Sequence, residues 1–350
     1  MKHTDNYPSI SVVTATCNST RTIERCLKSI RSQIYPQEKI EIIIADGGSK
    51  DSTVNIAKKY GARVYRIDAK RQNAEYNKSI GISHAKNDII AMIDHDNVLP
   101  HSHWLAGMVR PLEERPDVVG VETLRYTYEP SGTLLDRYFA LFGSGDPLVW
   151  YLGKTDRLSY MHDRYSLAGE VVQHRPYYVV RFTELNMPTI GANGYLVRRN
   201  ILMRNAHVAP GVYFDMDVNI DLIRNGHSLF AFVDDGIIHN TGYGSVWYYL
   251  QRRMLFMQQY HLSSRLKGNP VSVRRFHMVS KNNCWRFIAA VLLCVTVAVP
   301  LYDSIRGWLR IRDRAWFLHP VMGLGFVSIY AWVIIRHQIQ KIYANYILGK

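Results

Sequence analysis

Asp94 and Asp96 stand two residues apart at the end of the apolar run 89–93 (IIAMI), within Asp94-His95-Asp96-Asn97. Two carboxylates so placed suit a hard divalent cation with oxygen ligands, Mg2+ or Mn2+. Such a cation bridges a substrate diphosphate and acts as a Lewis acid on the leaving group. A third acid, Asp46, closes the apolar run 41–45 (EIIIA) and opens the polar turn Asp46-Gly47-Gly48-Ser49-Lys50-Asp51. Further along the chain come Asp215 and Asp217, then His239, then Gln251-Arg252-Arg253.

These groups work together only if the fold brings them to one place. Residues 10–14, 41–45, 63–67 and 89–93 read as short buried strands, and 20–33, 54–60 and 71–85 as helices between them. In the first helix Ile23, Leu27 and Ile30 recur at helical spacing. Strands alternating with helices at this spacing predict an α/β fold around a parallel sheet with right-handed crossovers. Ligands bind such sheets beyond the C-terminal strand ends. Asp46 and the Asp94/Asp96 pair are both predicted at that edge.

The segments SVVTATCNSTRTIERCLKSIRSQ, EIIIADGGSKDST and RQNAEYNKSIGISHAKNDIIAMIDHDN resemble the nucleotide-sugar half of a family 2 glycosyltransferase, over about residues 8–255 in all. The resemblance implies a GT-A fold, a mixed sheet of Rossmann-like character, and inverting transfer from a nucleotide-diphosphate sugar. It also implies roles for particular residues. Thr14, Ala15, Thr16 and Asp46 would hold the nucleoside, although Ala15 and Cys17 stand where the family has Pro and an aromatic residue. Arg71 and Asn77 would contact the donor. Asp94 would lie toward the ribose and Asp96 on the metal, with His239 completing the metal shell or meeting the diphosphate. The Gly-rich run 186–198 (NMPTIGANGYLVR) is similar to the segment under the donor sugar. Counting back from Gly226 places Asp215 at the family's base position, with Phe214 replacing its Glu and Asp217 as the second choice. Either aspartate would equally serve as an acid at a helix N-terminus. Gln251-Arg252-Arg253 resembles part of a Gln-x-x-Arg-Trp motif without its Trp, which disfavours processive synthesis. Arg252 or Arg253 would clamp a diphosphate or, as part of an interfacial helix face, meet lipid phosphates.

Charge separates the remaining readings. The net charge of +14 divides unevenly: residues 1–240 hold 28 Lys+Arg and 27 Asp+Glu, whereas 241–350 hold 15 Lys+Arg and only Asp303 and Asp313. A nucleic-acid binder predicts basic residues over the folded domain, and no recognition motif is present, so no nucleic-acid partner is expected. Four scattered cysteines exclude a disulfide scaffold. In the basic tail, 287–302 and 315–335 run without Asp, Glu, Lys or Arg. A span needs about 20 apolar residues. A C-terminal membrane anchor is therefore expected, spanning or re-entrant, over 287–350. Basic residues flank the first stretch (Arg265, Lys267, Arg274, Arg275, Lys281, Arg286) and fill the loop after it (Arg306, Arg310, Arg312, Arg314). Two full spans would set these groups on opposite sides of the bilayer, against the positive-inside rule.

The first residues lack the apolar core of a signal peptide, so a cytosolic catalytic domain is expected over 1–240. Residues 125–185, rich in Tyr and Arg, read as an insertion over the acceptor side. Residues 241–286 read as an interfacial segment on an anionic membrane surface, each cation contributing on the order of 1 kcal/mol. An enzyme held there meets a polyisoprenyl phosphate or lipid-linked saccharide as acceptor. A tethered sugar-nucleotide-binding or scaffold protein without turnover is the rival reading, opposed by Asp46, Asp94, Asp96 and Asp215 being present together.

Overall fold

The first apolar runs become adjacent strands of one ten-stranded sheet in the computed structural model, which describes residues 7–262 and 284–347. In chain order the first half comprises β1 (Ile10–Thr16), α1 (Thr20–Arg31), β2 (Ile40–Asp46), α2 (Thr53–Lys59), β3 (Arg63–Arg66), α3 (Ala74–His84), β4 (Ile89–Met92), β5 (Asn97–Val98), α4 (Trp104–Glu114) and β6 (Val118–Tyr126). The second half adds α5 (Leu134–Phe142), α6 (Pro147–Tyr151), β7 (Glu170–Gln173), β8 (Tyr178–Arg181), β9 (Tyr195–Arg198), α7 (Arg199–Asn205), α8 (Asp215–Arg224) and β10 (Leu229–His239). The C-terminal helices are α9 (Val246–Met257), α10 (Cys284–Val295), α11 (Ala298–Arg310) and α12 (Leu318–Ile347).

The sheet order is β3-β2-β1-β4-β9-β6-β10-β8-β7, with β5 against β10. Strands β3, β2, β1 and β4 are mutually parallel, as predicted. Strand β9 runs antiparallel to both β4 and β6, while β10 is parallel to β6, so the whole sheet is mixed. This topology puts the C-terminal ends of β1, β2, β4, β6 and β10 on one edge, together with the N-terminal end of β9. Every residue of β1 is buried, which is the condition of a strand covered on both faces. Helix α1 buries Ile23, Leu27 and Ile30 against this sheet, as their spacing predicts.

Helix α3 begins at Ala74, three residues later than predicted, because Asn73 caps it by accepting a bond from the Tyr76 N–H at 2.9 Å. Arg71 is left in the preceding loop. Residues 125–185, expected to be an insertion over the acceptor side, are built into the sheet domain. They supply the end of β6, helices α5 and α6, and the edge hairpin β7–β8. Helices α5 and α6 are the platform on which the C-terminal helices rest, through Tyr138, Phe142, Trp316 and Phe326 in one cluster and Leu148, Ala290 and Cys294 in another.

The stretch 287–302 is not one continuous helix. Helices α10 and α11 meet at a 72° bend, where Val297 adopts φ 58°. The region from Arg314 to Tyr343 is long and apolar enough to cross a membrane. The inter-stretch loop is tied to the sheet domain: Asp313 pairs with Arg137 at 2.8 Å and accepts the Tyr128 hydroxyl at 2.6 Å, and Arg310 pairs with Asp163. Arg310 is therefore engaged by protein, and Arg312 stacks on Trp308 at 3.7 Å. Arg265, Lys267, Arg274, Arg275 and Lys281 lie outside the described residues.

Candidate active site

The turn after β4 is built around Asn97. Its side-chain carbonyl accepts the Asp94 N–H at 2.9 Å, and its amide donates to Asn193 at 3.0 Å. Asn193 in turn donates to the Tyr126 hydroxyl at 3.2 Å. The Asp-x-Asp turn and the Gly-rich segment are thus one bonded unit. Gly194 sits at φ 95°, and a Cβ there would come within 2.7 Å of Ile237. Gly191, at φ 125°, passes so close to α8 that a Cβ would meet Asn219 at 2.8 Å. Beneath this segment Arg157, fully buried, pairs with Glu122 at 2.6 Å and donates to the Asn193 carbonyl at 2.7 Å. Burial pushes the Glu122 carboxyl up to about 8, against the pull of Arg157.

Asp96 and His239 face each other at 3.6 Å at the ends of neighbouring elements. Burial disfavours the charge on each, but their mutual attraction prevails: Asp96 lies well below the usual carboxylate range and His239 above the usual histidine value. His239 also stacks on Tyr126, with ring centroids 5.4 Å apart. Asp94 does not join this pair. Its carboxylate lies 3.9 Å from the Lys78 ammonium instead. Among the described residues no three His, Cys, Asp or Glu side chains converge on a metal position. Two protein ligands plus substrate oxygens suit Mg2+ at a diphosphate, and Asp96 and His239 fit such an ion, with Asp94 beside Lys78.

The predicted nucleoside residues lie deeper than expected. Asp46 is fully buried and spends its carboxylate on Thr16, at 3.1 Å, and on the backbone N–H groups of Gly48 and Ser49. Thr14, Ala15 and Thr16 are buried at the end of β1, and the Thr14 hydroxyl has no hydrogen-bond partner among the described residues. Asn77 is 1% exposed, its side-chain carbonyl lacks a hydrogen bond, and it lies so near Gly47 that a Cβ there would meet its amide at 2.9 Å. Arg71 is exposed and outside the cavities described below. Asp51 serves the frame: it accepts the N–H groups of Thr20 and Thr53, at the starts of α1 and α2. Those bonds overcome burial and hold its carboxyl at about 2.

Two joined cavities open at the strand-end edge. One, of about 720 Å³, is lined by Gln72, Asn73, Asp96, His239, Arg252 and Tyr260, among others. Gln72 and Asn73 were missed in the sequence reading, although they directly follow Arg71 in the RQN run. The other, of about 660 Å³, holds Asp215, Asp156 and Arg253, and is walled by Leu148, Leu152, Phe287 and Ile334. Tyr126, Gly145, Tyr249, Arg253 and Phe256 line both.

Asp215 opens α8, as counting back from Gly226 predicts. Its two oxygens accept from Lys78 at 2.8 Å and from the Tyr213 hydroxyl at 2.7 Å. Asp217 is 1% exposed and lines neither cavity, which removes it as the base. Arg253 is engaged by protein groups and lines both cavities. It lies 3.8 Å from Asp146 and 4.7 Å from the Phe256 ring, and Asp146 accepts the Tyr330 hydroxyl of α12 at 3.0 Å. Arg252 is exposed in the first cavity and is the arginine available to a diphosphate.

The family model described as "Glycosyl transferase family 2" matches residues 11–162. The chain is 31% identical over 140 residues to Glycosyltransferase AglE of Haloferax volcanii, a match covering 39% of this chain and 45% of that protein. It is 28% identical over 155 residues to a dolichyl N-acetyl-alpha-D-glucosaminyl phosphate 3-beta-D-2,3-diacetamido-2,3-dideoxy-beta-D-glucuronosyltransferase of Methanococcus voltae, covering 41% and 47%. The matches thus span about half the length of these curated relatives. The solved mannosyltransferase PcManGT from Pyrobaculum calidifontis, in complex with GDP-Man and Mn2+, has the same fold. Its TM-score is 0.52 at 15% identity, over 95% of this chain and 90% of that one.

Proposed function

We propose that this chain, whose residues 11–162 match the family 2 glycosyltransferase model and whose fold is that of the solved mannosyltransferase, is an inverting, metal-dependent transferase. It moves a sugar from a nucleotide-diphosphate donor to a membrane-associated acceptor, a polyisoprenyl phosphate or a lipid-linked saccharide, at the cytosolic membrane face. The observation that carries this reading is the joined pair of cavities. One half brings Asp96, His239 and Arg252 together, groups that suit a metal diphosphate. The half with Asp215 is walled by apolar side chains from α6 and from α10 and α12, the last two lying in the segment expected at the membrane. The GDP-mannose and Mn2+ of the structural neighbour and the dolichyl-linked substrate of the Methanococcus relative support the same assignment.

In this reading Asp96 and His239 would hold Mg2+ or Mn2+, which would neutralise the departing diphosphate. Arg252 meets the diphosphate from the side of α9. The acceptor oxygen attacks the anomeric carbon opposite the leaving group, the bond to the nucleoside diphosphate breaks, and a hydroxyl acceptor gives its proton to the Asp215 carboxylate. A phosphate acceptor is already an anion and needs no base. Aspartate 215 therefore distinguishes the two acceptor classes. With a lipid-linked saccharide, Asp215→Asn should lower kcat by about 10²- to 10⁴-fold, and with a polyprenyl phosphate far less.

The test is release of nucleoside diphosphate from a panel of nucleotide sugars with Mn2+ and each acceptor class in micelles. Metal- and acceptor-dependent release supports the transferase. Metal-dependent nucleotide binding without release from any donor would leave the tethered binding protein in its place.

A further inference from the structure

Helix α3 is unusual in what it buries. Glu75, Asn77, Lys78 and Ser79 are all within the interior, without the apolar stripe that ordinarily holds a helix to a sheet. Lysine is almost never this deeply buried unless paired, and Lys78 is 5% exposed. Its ammonium lies 2.8 Å from Asp215, 3.9 Å from Asp94 and 3.9 Å from Glu75. These carboxylates come from three separate elements: the start of α8, the turn after β4, and the preceding turn of α3 itself. Burial alone would strip the charge from Lys78, but Asp215 first, then Asp94 and Glu75, outweigh it and hold the amine charged.

The geometry assigns Lys78 as the positioning residue of the transfer reaction, the one cation that fixes Asp215 of the acceptor cavity against Asp94 of the donor turn. The assignment rests on the reading of Asp215 as the base. Lys78 and Tyr213 each take one oxygen of Asp215, so the carboxylate plane is set from two sides and its free lone pairs are aimed. Lys78 contributes no bond to the reacting atoms. It acts through Asp215, and its loss should appear in turnover and leave donor binding intact.

The test compares Lys78→Met, Lys78→Arg and Asp215→Asn in the full chain. It uses the donor and lipid acceptor turned over by the wild type, with Mn2+ affinity for the free nucleoside diphosphate measured in parallel. Lys78→Met should lower kcat by about 10- to 100-fold, the range for outer-shell partners of a reacting group. The donor KM and nucleoside diphosphate affinity should stay near wild type, and Lys78→Arg should recover much of kcat. Full kcat in Lys78→Met, with Asp215→Asn impaired, overturns the role of Lys78 alone. Loss of nucleotide affinity in both Lys78 variants together with kcat also overturns it, because that pattern marks a merely structural lysine. An unimpaired Asp215→Asn overturns the base reading on which the assignment rests. If Lys78→Met does not fold, Lys78→Arg decides: unchanged donor KM with a partial loss of kcat supports positioning, and wild-type kinetics with a shifted guanidinium contradicts it.

Discussion

Single residues carry roles that their types suggested and roles that only distance revealed. Asp96 should be the carboxylate on which metal binding depends, so Asp96→Asn is expected to abolish the Mn2+-dependent thermal stabilisation by nucleoside diphosphate. Retained stabilisation in that variant would move the metal elsewhere. Asp51 shows the opposite case, a motif aspartate spent on the frame. Its carboxyl is held at about 2 against an ordinary 3.8. A depressed pKa contributes stability that is present above about pH 4 and lost as pH falls through about 2. Urea midpoints of wild type and Asp51→Asn should therefore differ most above pH 4 and converge toward pH 2. A difference that grows on acidification contradicts the assignment. The Asp-x-Asp pair and Asp46 were legible in the sequence because they directly follow apolar runs. That Asp215 faces Lys78 was not, because the two residues stand 137 positions apart.

Among the elements, the Gly-rich segment depends on a support that no local pattern announces. Arg157 lies in the stretch first read as an acceptor-side insertion, yet it holds Glu122 and the Asn193 carbonyl beneath the donor turn. Arg157→Met would leave Glu122 and the Asn193 carbonyl without their buried donor and should cost about 1–3 kcal/mol of stability. Urea denaturation checks this, and a loss below 1 kcal/mol would show the pair to be dispensable. The strands of the first half were readable because central parallel strands are continuously apolar. The antiparallel β9 and the edge hairpin β7–β8 were not, because nothing in a short run tells which neighbour it will pair with. Helix α9 was read as lying in the interface. Its Leu250 packs on Gly325 of α12 and its Arg253 turns inward toward Asp146, so one side of that helix is a wall of the site.

Across the whole molecule, the division of charge anticipated a division of labour, but the two parts share one cavity. Phe287 of α10 and Ile334 of α12 line the chamber that holds Asp215, so the apolar helices serve the site as well as the expected membrane contact. Ile334→Arg should raise the KM for a lipid acceptor while leaving nucleotide affinity unchanged. Equal effects on acceptor and nucleotide would place Ile334 outside the acceptor path. The sequence could show that 315–335 is long and apolar, but it could not show that Tyr330 within it reaches back to Asp146, 184 residues away. The central claim is catalysis by Asp215 at the meeting of a metal-diphosphate site and an apolar acceptor chamber. Its most direct measurement is nucleoside diphosphate release by wild type and Asp215→Asn, with Mn2+, across a donor panel and a lipid-linked saccharide acceptor. The account predicts metal-dependent release by wild type and a loss of about 10²- to 10⁴-fold in the variant. Equal release by the two proteins would contradict it.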